Sequence, residues 1–251
     1  MVTLKNALEI ERMRASGRIV AEVLDAVGGR IGPGVTTADL DRLAESIIRG
    51  HEGARPAFKG YGGFPATICA SINDEVVHGI PSASRTLEEG DIVGIDVGVL
   101  LDGYHADAAR TFAVGRVSKE ALELLRITQA ALAAGIEAAR PRGYLGDISA
   151  AIQSVVEAAG FSVVRELVGH GIGQHLHEDP QVPNFGSAGR GLPLDPGLVI
   201  AIEPMVNRGD CGVRTLDDAW TIVTADGTLS AHFEHTVAIT EDGPEVLTRA
   251  A

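Results

Sequence analysis

The sequence predicts a single α+β domain built from two pseudo-symmetric halves. Helical periodicity and β-branched runs follow one another in the order helix, helix, strands, and then in the same order again. Segment 90–96 aligns without gaps on 197–203 at an offset of 107 residues, and both segments end in an acid. The helix start at 38–40 matches the one at 146–148 at an offset of 108. We therefore predict one domain over residues 1–251, with an internal pseudo-repeat of 1–116 and 117–251.

The first half begins with two predicted helices. Segment 4–27 carries apolar residues at helical spacing, and Gly28-Gly29 is expected to end that helix. Thr36 or Thr37 can cap a second helix that runs to about residue 50. Between 61 and 103, short β-branched runs alternate with Gly and Pro, which is typical of strands.

The second half repeats this pattern. Ser118 and Glu120 open an alanine-rich helix that ends near residue 141, and Asp147 is expected to cap another helix that ends near residue 160. Strands are then predicted at 163–169, 198–205, 220–223 and 232–239.

Composition narrows the class of protein. The net charge is 21 − 34 = −13 without a concentrated basic run, which argues against nucleic-acid binding because phosphate neutralisation needs a positive patch. Cys69 and Cys211 lie far apart and are interpreted as free thiols in a reducing compartment. The sequence shows no signal peptide and no apolar run near the ~18 residues of a membrane span. A cytoplasmic protein without membrane contact is expected.

Function is indicated by four carboxylates and one imidazole, most of them in predicted strands. Carboxylates that face each other across a buried sheet repel strongly unless cations lie between them. The set therefore predicts a two-metal hydrolytic centre, and its members are Asp96, Asp107, His170, Glu203 and Glu234.

The first two acids flank a hairpin signal, Asp102-Gly103. If these two residues form the loop, positions that sum to 205 face each other, so Asp107 lies opposite Gly98 and diagonal to Asp96. Diagonal neighbours are roughly 7–8 Å apart, a span that inward carboxylates and bridging metals can fill. A slip of one residue would place the two acids on opposite faces.

His170 lies between Gly169 and Gly171. Glycine lets the backbone bend sharply, so the pair is expected to bring the imidazole close to an ion. Glu203 and Glu234 are each embedded among apolar residues, where an unpaired charge would cost several kcal/mol.

Together these residues resemble the type I methionine aminopeptidases, which have the pita-bread (creatinase/aminopeptidase) fold. The order Asp, Asp, His, Glu, Glu falls at the family's steps of 11, 63, 33 and 31 residues. The departures are Ala108-Ala109, where many members carry hydroxyl groups, and Leu167, where the family usually has Met, Phe or Tyr. The resemblance covers essentially the whole chain, and the flanking motifs that agree lie at 71–73, 77–81, 90–93, 170–173 and 203–205.

The resemblance implies a central curved antiparallel sheet backed by helices, and it assigns roles to the ligands. Asp96 would chelate one metal, His170 would bind the other, and Asp107 and Glu234 would bridge both. Glu203 would bind metal and also take and deliver a proton of the bridging water. Two metals about 3.5–4 Å apart can activate such a water at neutral pH. The donor set suits Co, Mn, Fe or Zn and leaves the identity open.

The resemblance also implies a substrate site. His78 would contact the amide-nitrogen side of the scissile bond and His177 its carbonyl oxygen, both as hydrogen-bond donors. The remaining histidines, at 51, 105, 175, 232 and 235, have no motif support and are interpreted as structural or solvent-facing. The methionine side chain would be held by Tyr61, Phe64, Cys69, Leu176 and Trp220.

The implied activity is removal of the initiator methionine from nascent polypeptides whose second residue is small. The implied protein is a monomer that meets chain N-termini, with the ribosome as a potential partner. An Xaa-Pro-cleaving peptidase of the same fold would carry a large N-terminal domain. A non-catalytic binding protein of this fold would have lost ligands and gained basic extensions. A type II enzyme would carry an insertion, for which the 31-residue step from Glu203 to Glu234 leaves no room.

Overall fold

A computed structural model of the chain describes residues 2–249. Its helices are α1 (Ala7–Arg30), α2 (Thr37–Gly50), α3 (Lys119–Ala138) and α4 (Leu145–Ala158), with one 3-10 turn at Tyr61–Gly63. Its strands are β1 (Arg55–Pro56), β2 (Ile68–Ile72), β3 (Glu75–Val77), β4 (Ile92–Leu101), β5 (Tyr104–Ala113), β6 (Ser162–Val163), β7 (Gly169–Gly171), β8 (Glu178–Val182), β9 (Val199–Ile202), β10 (Met205–Asn207), β11 (Val213–Thr215), β12 (Ile222–Thr224), β13 (Ser230–His232), β14 (His235–Thr240) and β15 (Gly243–Val246).

The hairpin β4–β5 dominates the first sheet, in which β1 and β2 also pair with β4. Asp102 (φ 49°) and Gly103 (φ 81°) form its two-residue turn, whose positive φ values match the twist of the strands. The register places Gly98 opposite Asp107 and Asp96 opposite Ala109. The predicted register is therefore confirmed.

Helices α1 and α2 bury their apolar faces against this sheet. Thr36 caps α2, as predicted. Helix α1 instead begins after Asn6 and continues through Gly28 to Arg30, so the predicted stop at Gly28-Gly29 is wrong. The reason is tertiary packing: a Cβ at Gly28 would lie 2.5 Å from Cε1 of Phe112 on β5.

The second sheet has five strands in the order β15-β14-β9-β7-β8, and α3 and α4 share an apolar core with it. Ser118 caps α3, as predicted. Asp147 does not cap α4, because Tyr144 precedes the helix. The Asp147 carboxylate lies in the first turn and accepts a hydrogen bond from the Tyr144 amide at 2.7 Å.

Two further three-stranded sheets have the orders β13-β10-β6 and β11-β12-β3. Strand β5 is tied to the segment that contains β13 and β14, and this contact joins the first sheet to the second sheet and to the sheet of β13. The Glu234 amide donates to the Ala109 carbonyl at 2.9 Å, and the Thr236 hydroxyl donates to the Asp107 carbonyl at 2.7 Å. The Thr111 hydroxyl donates to the His232 carbonyl at 2.8 Å. Acids from both halves of the sequence are thereby brought to one place.

Three predicted strands are interrupted. Segment 198–205 is divided into β9 and β10, with Glu203 and Pro204 between them, because Pro204 has no N–H to donate to a ladder. Segment 232–239 is divided between β13 and β14 at Phe233 and Glu234. Within 163–169, only the end of β6 and the first residue of β7 are strand. Two of the predicted ligands thus lie in gaps between strands.

None of the helices in the described part of the chain combines the length and apolar character needed to cross a lipid bilayer. The single domain over 1–251 and its pseudo-repeat, divided near residue 116, both stay predictions.

Candidate metal centre and active-site cavity

A cavity of about 440 Å³ is lined by residues from all four sheets. Every residue that the sequence analysis assigned to metal binding, catalysis or substrate binding lines it: Tyr61, Phe64, Cys69, His78, Asp96, Asp107, His170, Leu176, His177, Glu203, Trp220 and Glu234. The structure therefore brings all twelve together.

The β4–β5 hairpin supplies two aspartates. Asp107 is buried, and the Thr236 hydroxyl fixes its backbone by accepting from its amide at 3.1 Å and donating to its carbonyl at 2.7 Å. Asp96 pairs with Cys69 across the adjacent strands. Its Oδ1 atom is buried and has no hydrogen-bond partner among the described residues. A buried carboxylate oxygen without a hydrogen-bond donor is unfavourable, and a bound cation would supply the missing partner.

His170 is oriented by its own backbone. Its Nδ1 lies 2.9 Å from the Gly171 carbonyl oxygen, and because a carbonyl only accepts, Nδ1 carries the proton. The Nε2 lone pair is then directed into the cavity, 3.6 Å from Asp107 Oδ2 and 3.6 Å from Glu203 Oε1. A neutral imidazole with one free lone pair is the form that binds metals.

The flanking glycines are needed for a second reason besides the one expected. Neither Gly169 nor Gly171 has a positive φ. A Cβ at Gly169 would lie 2.4 Å from the Ala201 carbonyl oxygen, and one at Gly171 would lie 2.1 Å from that of Asp179. Glycine is required here because β7 lies tightly between its neighbouring strands. The register of β7 with β8 also shifts between His170 and Gly171, an irregularity of the kind that bends a strand, as predicted.

The electrostatics of the centre disfavour negative charge. Burial, followed by repulsion from the other acids, raises the pKa values of Asp96, Glu203 and Glu234 well above their ordinary range. Burial also raises the pKa of Asp107, to about 6. A divalent cation would reverse this preference, since it favours the ionised form of each acid.

The residues present fit a divalent metal. Asp107, His170 and Glu234 each offer one ligand atom, and the three atoms lie within 4.8 Å of one another. Glu203 adds a carboxylate beside His170, and Asp96 adds the oxygen that lacks a partner. Oxygen donors with an imidazole and without thiolate ligands suit borderline or hard divalent ions.

Two histidines stand beside this centre. The backbone of His78 is left-handed (φ 61°), a strained conformation that tends to occur at functional sites, and its ring meets Trp220 edge-on at 6.3 Å between centroids. The His177 ring lies 4.3 Å from that of His170, and its Nδ1 is 2.8 Å from the Tyr61 hydroxyl.

Both of these imidazoles are neutral at pH 7. Burial lowers the pKa of His78. The outer edge of His177 is exposed, but the protein packed around its ring, together with the His170 imidazole, lowers its pKa to about 4. Each ring can therefore donate one N–H without carrying a charge.

Apolar side chains form the remaining wall. Phe64 and Trp220 meet edge-to-face at 5.1 Å between centroids, beside the buried Cys69. Burial and the neighbouring Asp96 carboxylate raise the pKa of Cys69 well above its ordinary value, so its sulfur remains a thiol. Leu176 is buried, whereas Tyr61 is exposed at the rim.

Seven further residues line the cavity that were not predicted to belong to the site: Phe58, Val77, Glu166, Leu167, Val168, Met205 and His232. The interpretation of His232 as structural or solvent-facing needs correction. Its side chain is 4% exposed, and its Nε2 lies 3.7 Å from Glu203 Oε2. The available signal was spacing: it lies two residues before Glu234, as Met205 lies two after Glu203, and alternate residues of a strand share a face.

Residues 11–241 match the metallopeptidase family M24. The chain belongs to this family. A methionine aminopeptidase from Clostridium perfringens is 57% identical over 248 residues, which are 99% of either chain. The crystal structure of a methionine aminopeptidase from Thermotoga maritima has a TM-score of 0.97 at 46% identity and covers 99% of this chain and 100% of that one.

More distant solved structures share the fold over only part of their own length. A prolidase from Pyrococcus furiosus has a TM-score of 0.78 at 25% identity, and the match covers 99% of this chain but 66% of the prolidase. The expected pita-bread fold is therefore confirmed. Within M24, this chain groups with the bacterial methionine aminopeptidases, and neither the Xaa-Pro peptidase nor the non-catalytic alternative is favoured.

Proposed function

We propose that this M24 peptidase removes the initiator methionine from nascent polypeptides whose second residue is small. The observation that carries the proposal is the shared cavity of about 440 Å³, in which five potential metal ligands lie beside an apolar pocket. A thioether suits that pocket, because sulfur makes favourable contacts with aromatic rings.

Two divalent ions, drawn from Co, Mn, Fe and Zn, are proposed as cofactors. They would be held by the five residues Asp96, Asp107, His170, Glu203 and Glu234. When bound, such ions lower the pKa of a coordinated water towards neutrality and polarise a peptide carbonyl.

The remaining chemistry belongs to side chains of the chain itself. Glu203 is proposed to take a proton from the attacking water and deliver it to the leaving amine. With the Tyr61 hydroxyl as donor to Nδ1 of His177, the Nε2–H of His177 can donate to the scissile carbonyl oxygen. His78 is proposed to contact the amide-nitrogen side, where its ring also limits the space for the second residue.

The test combines metal analysis with peptide cleavage. Protein loaded with each of the four metals is offered Met-Gly-Met, Met-Leu-Met and a Leu-Pro dipeptide. Free methionine is expected from Met-Gly-Met and far less from Met-Leu-Met, with no cleavage of Leu-Pro. A metal-loaded protein that leaves Met-Gly-Met intact would refute the proposal.

The site of action is part of the same proposal. New polypeptide N-termini become available at the ribosome, so the enzyme is proposed to act there, in the cytoplasm, as a monomer. The two cysteines are free thiols, which suits a reducing compartment. Sedimentation of the pure protein with and without ribosomes would test both the oligomeric state and the association.

A further inference from the structure

His232 presents a buried imidazole nitrogen to the cavity. Its Nε2 has no hydrogen-bond partner among residues 2–249, and the whole residue is 4% exposed. Buried polar atoms in proteins are nearly always hydrogen-bonded or bound to an ion or water. The cavity side of this ring therefore lacks a partner.

The surroundings of Nε2 are those of a metal ligand. It lies 3.7 Å from Glu203 Oε2 and 4.0 Å from Glu234 Oε2, and both distances are too long for hydrogen bonds. Two donors bound about 2.1 Å from one ion are about 3.0–4.2 Å apart, depending on the angle between them. Both distances fall within that interval.

His170 provides an internal comparison. Its Nε2 lies 3.6 Å from Oε1 of Glu203, and the Nε2 of His232 lies 3.7 Å from Oε2. The Glu203 carboxylate thus lies between two imidazoles, one facing each oxygen. His232 therefore stands at nearly the same distance from Glu203 as His170 does, and it faces Glu234 where His170 faces Asp107.

The backbone of His232 is fixed from both sides. Its amide donates to the Thr111 hydroxyl at 3.0 Å, and the same hydroxyl donates to its carbonyl at 2.8 Å. This pair anchors the end of β13 to β5, just before the interruption that contains Glu234. A ring held in this way needs little rearrangement to bind an ion.

We propose that His232 is a sixth protein ligand of the metal centre and its second imidazole. The inference rests on the metal centre of the proposed function. A second nitrogen donor shifts the site towards ions that favour imidazole, such as Zn, Co and Fe, and away from Mn.

The test is paramagnetic NMR of the full-length protein labelled with ¹⁵N-histidine and loaded with Co²⁺. A histidine bound through Nε2 retains a proton on Nδ1, and that proton is strongly shifted by the ion. Two shifted, solvent-exchangeable imidazole N–H signals are expected, one from His170 and one from His232. In His232→Gln one of them should disappear, and the Co²⁺ affinity measured by calorimetry should fall at least tenfold.

His235→Gln is the matched control. This half-buried histidine is adjacent to Glu234 in sequence, but its Nδ1 lies 2.8 Å from the Thr248 hydroxyl. The variant should retain both shifted signals and bind Co²⁺ within about twofold of the wild-type affinity, because its ring hydrogen-bonds Thr248 and none of the proposed ligands. If His232→Gln does not fold, His232→Asn removes the same ring nitrogen.

The outcomes separate the inference from the proposed function. A single shifted signal in wild-type protein that cleaves Met-Gly-Met would overturn the role of His232 and leave the proposed function standing. If both shifted signals persist in folded His232→Gln, the role of His232 as a ligand is overturned as well. Wild-type protein that neither retains Co²⁺ nor cleaves the peptide would overturn the proposed function and this inference together.

Discussion

At the scale of single residues, Glu203 is the acid whose position best combines the two tasks proposed for it. It lies beside His170 in a gap between strands, so its carboxylate faces the cavity. Glu203→Gln keeps the shape of the side chain and removes its ability to transfer a proton. We expect kcat for Met-Gly-Met to fall by about 10²–10⁴. The melting temperature of the metal-free protein should stay near that of the wild type.

Metal content must be measured on the same Glu203→Gln sample, so that lost proton transfer is distinguished from lost metal. A variant that retains metal and wild-type turnover would show that Glu203 does not transfer the proton.

His78 allows a second prediction at this scale. Its ring lies against Trp220 and is neutral, so it can donate a hydrogen bond to a peptide without binding metal itself. His78→Ala should lower kcat by about 10²–10³ while metal content stays unchanged, because it removes one donor to the developing charge. The exposed His51 supplies the control, and His51→Ala should match the wild type. Loss of both metals from His78→Ala would instead identify it as a ligand.

The predictability of site residues depended on whether a local pattern marked them. The spacing of the acids and the Asp-Gly turn were sufficient to place Asp96 and Asp107 on one face. No pattern marked Phe58, and His232 was marked only by its spacing of two residues from Glu234. What holds His232 at the centre is its pair of hydrogen bonds with Thr111 on β5, more than a hundred residues earlier in the chain.

At the scale of elements, β7 shows how closely three strands must approach to present His170. In Gly171→Ala the new Cβ would lie 2.1 Å from the Asp179 carbonyl oxygen, so β7 has to move away from β8. We expect a loss of about 1–3 kcal/mol in the free energy of unfolding, which is the usual cost of overpacking. Metal affinity should fall too, because His170 moves with the strand. Urea unfolding and calorimetry measure the two effects.

Gly29→Ala is the control for this substitution. Gly29 lies in the last turn of α1, where an added Cβ meets nothing within 4 Å. Alanine should stabilise the protein by about 0.4–1 kcal/mol at such a position. Equal effects of the two substitutions would contradict the packing explanation for Gly171.

Local signals predicted elements well where the deciding contacts were local. The caps at Thr36 and Ser118 and the β4–β5 turn were correct because neighbouring residues determine them. The end of α1 was wrong because the contact that uses Gly28 comes from Phe112, 84 residues away in sequence. Propensity is a weak guide where tertiary packing decides.

At the scale of the whole molecule, the N-terminal segment is tied to the loop that carries His177. Lys5 Nζ lies 2.6 Å from Glu178 Oε2, and the two side chains are 3% and 11% exposed. The Glu178 carboxylate also accepts from the His175 amide at 3.0 Å. A Cβ at Gly173 would lie 2.5 Å from Lys5 Cε, so the lysine stem fills the space beneath the loop. The pairing was not predictable, because 173 residues separate its partners.

Lys5→Met would retain much of that stem and leave a buried carboxylate without its cation. We expect about 3–5 kcal/mol of destabilisation, the usual cost of breaking a buried pair. We also expect a lower kcat, because the loop holds His177. Lys59→Met is the control: Lys59 and Glu45 are a similar 2.8 Å apart, but their side chains are 42% and 23% exposed. Lys59→Met should lower the free energy of unfolding by about 1 kcal/mol or less.

The pH dependence of the Lys5→Met effect provides a sharper measurement. Burial acts to raise the pKa of Glu178, but the hydrogen bonds from Lys5 and from the His175 amide outweigh it, so the pKa lies below its ordinary value of 4.5. A lowered carboxyl pKa stabilises the folded state above the unfolded pKa, and that contribution is lost as pH falls through the folded value. In Lys5→Met the cation is lost while burial still acts to raise the Glu178 pKa, so the variant takes up this proton at a higher pH than the wild type. The difference in unfolding free energy between wild type and Lys5→Met should therefore be larger at pH 7 than at pH 3, and it should shrink as the pH falls through 4.5. A difference that is constant from pH 7 to pH 3 would mean that Lys5 acts through packing alone.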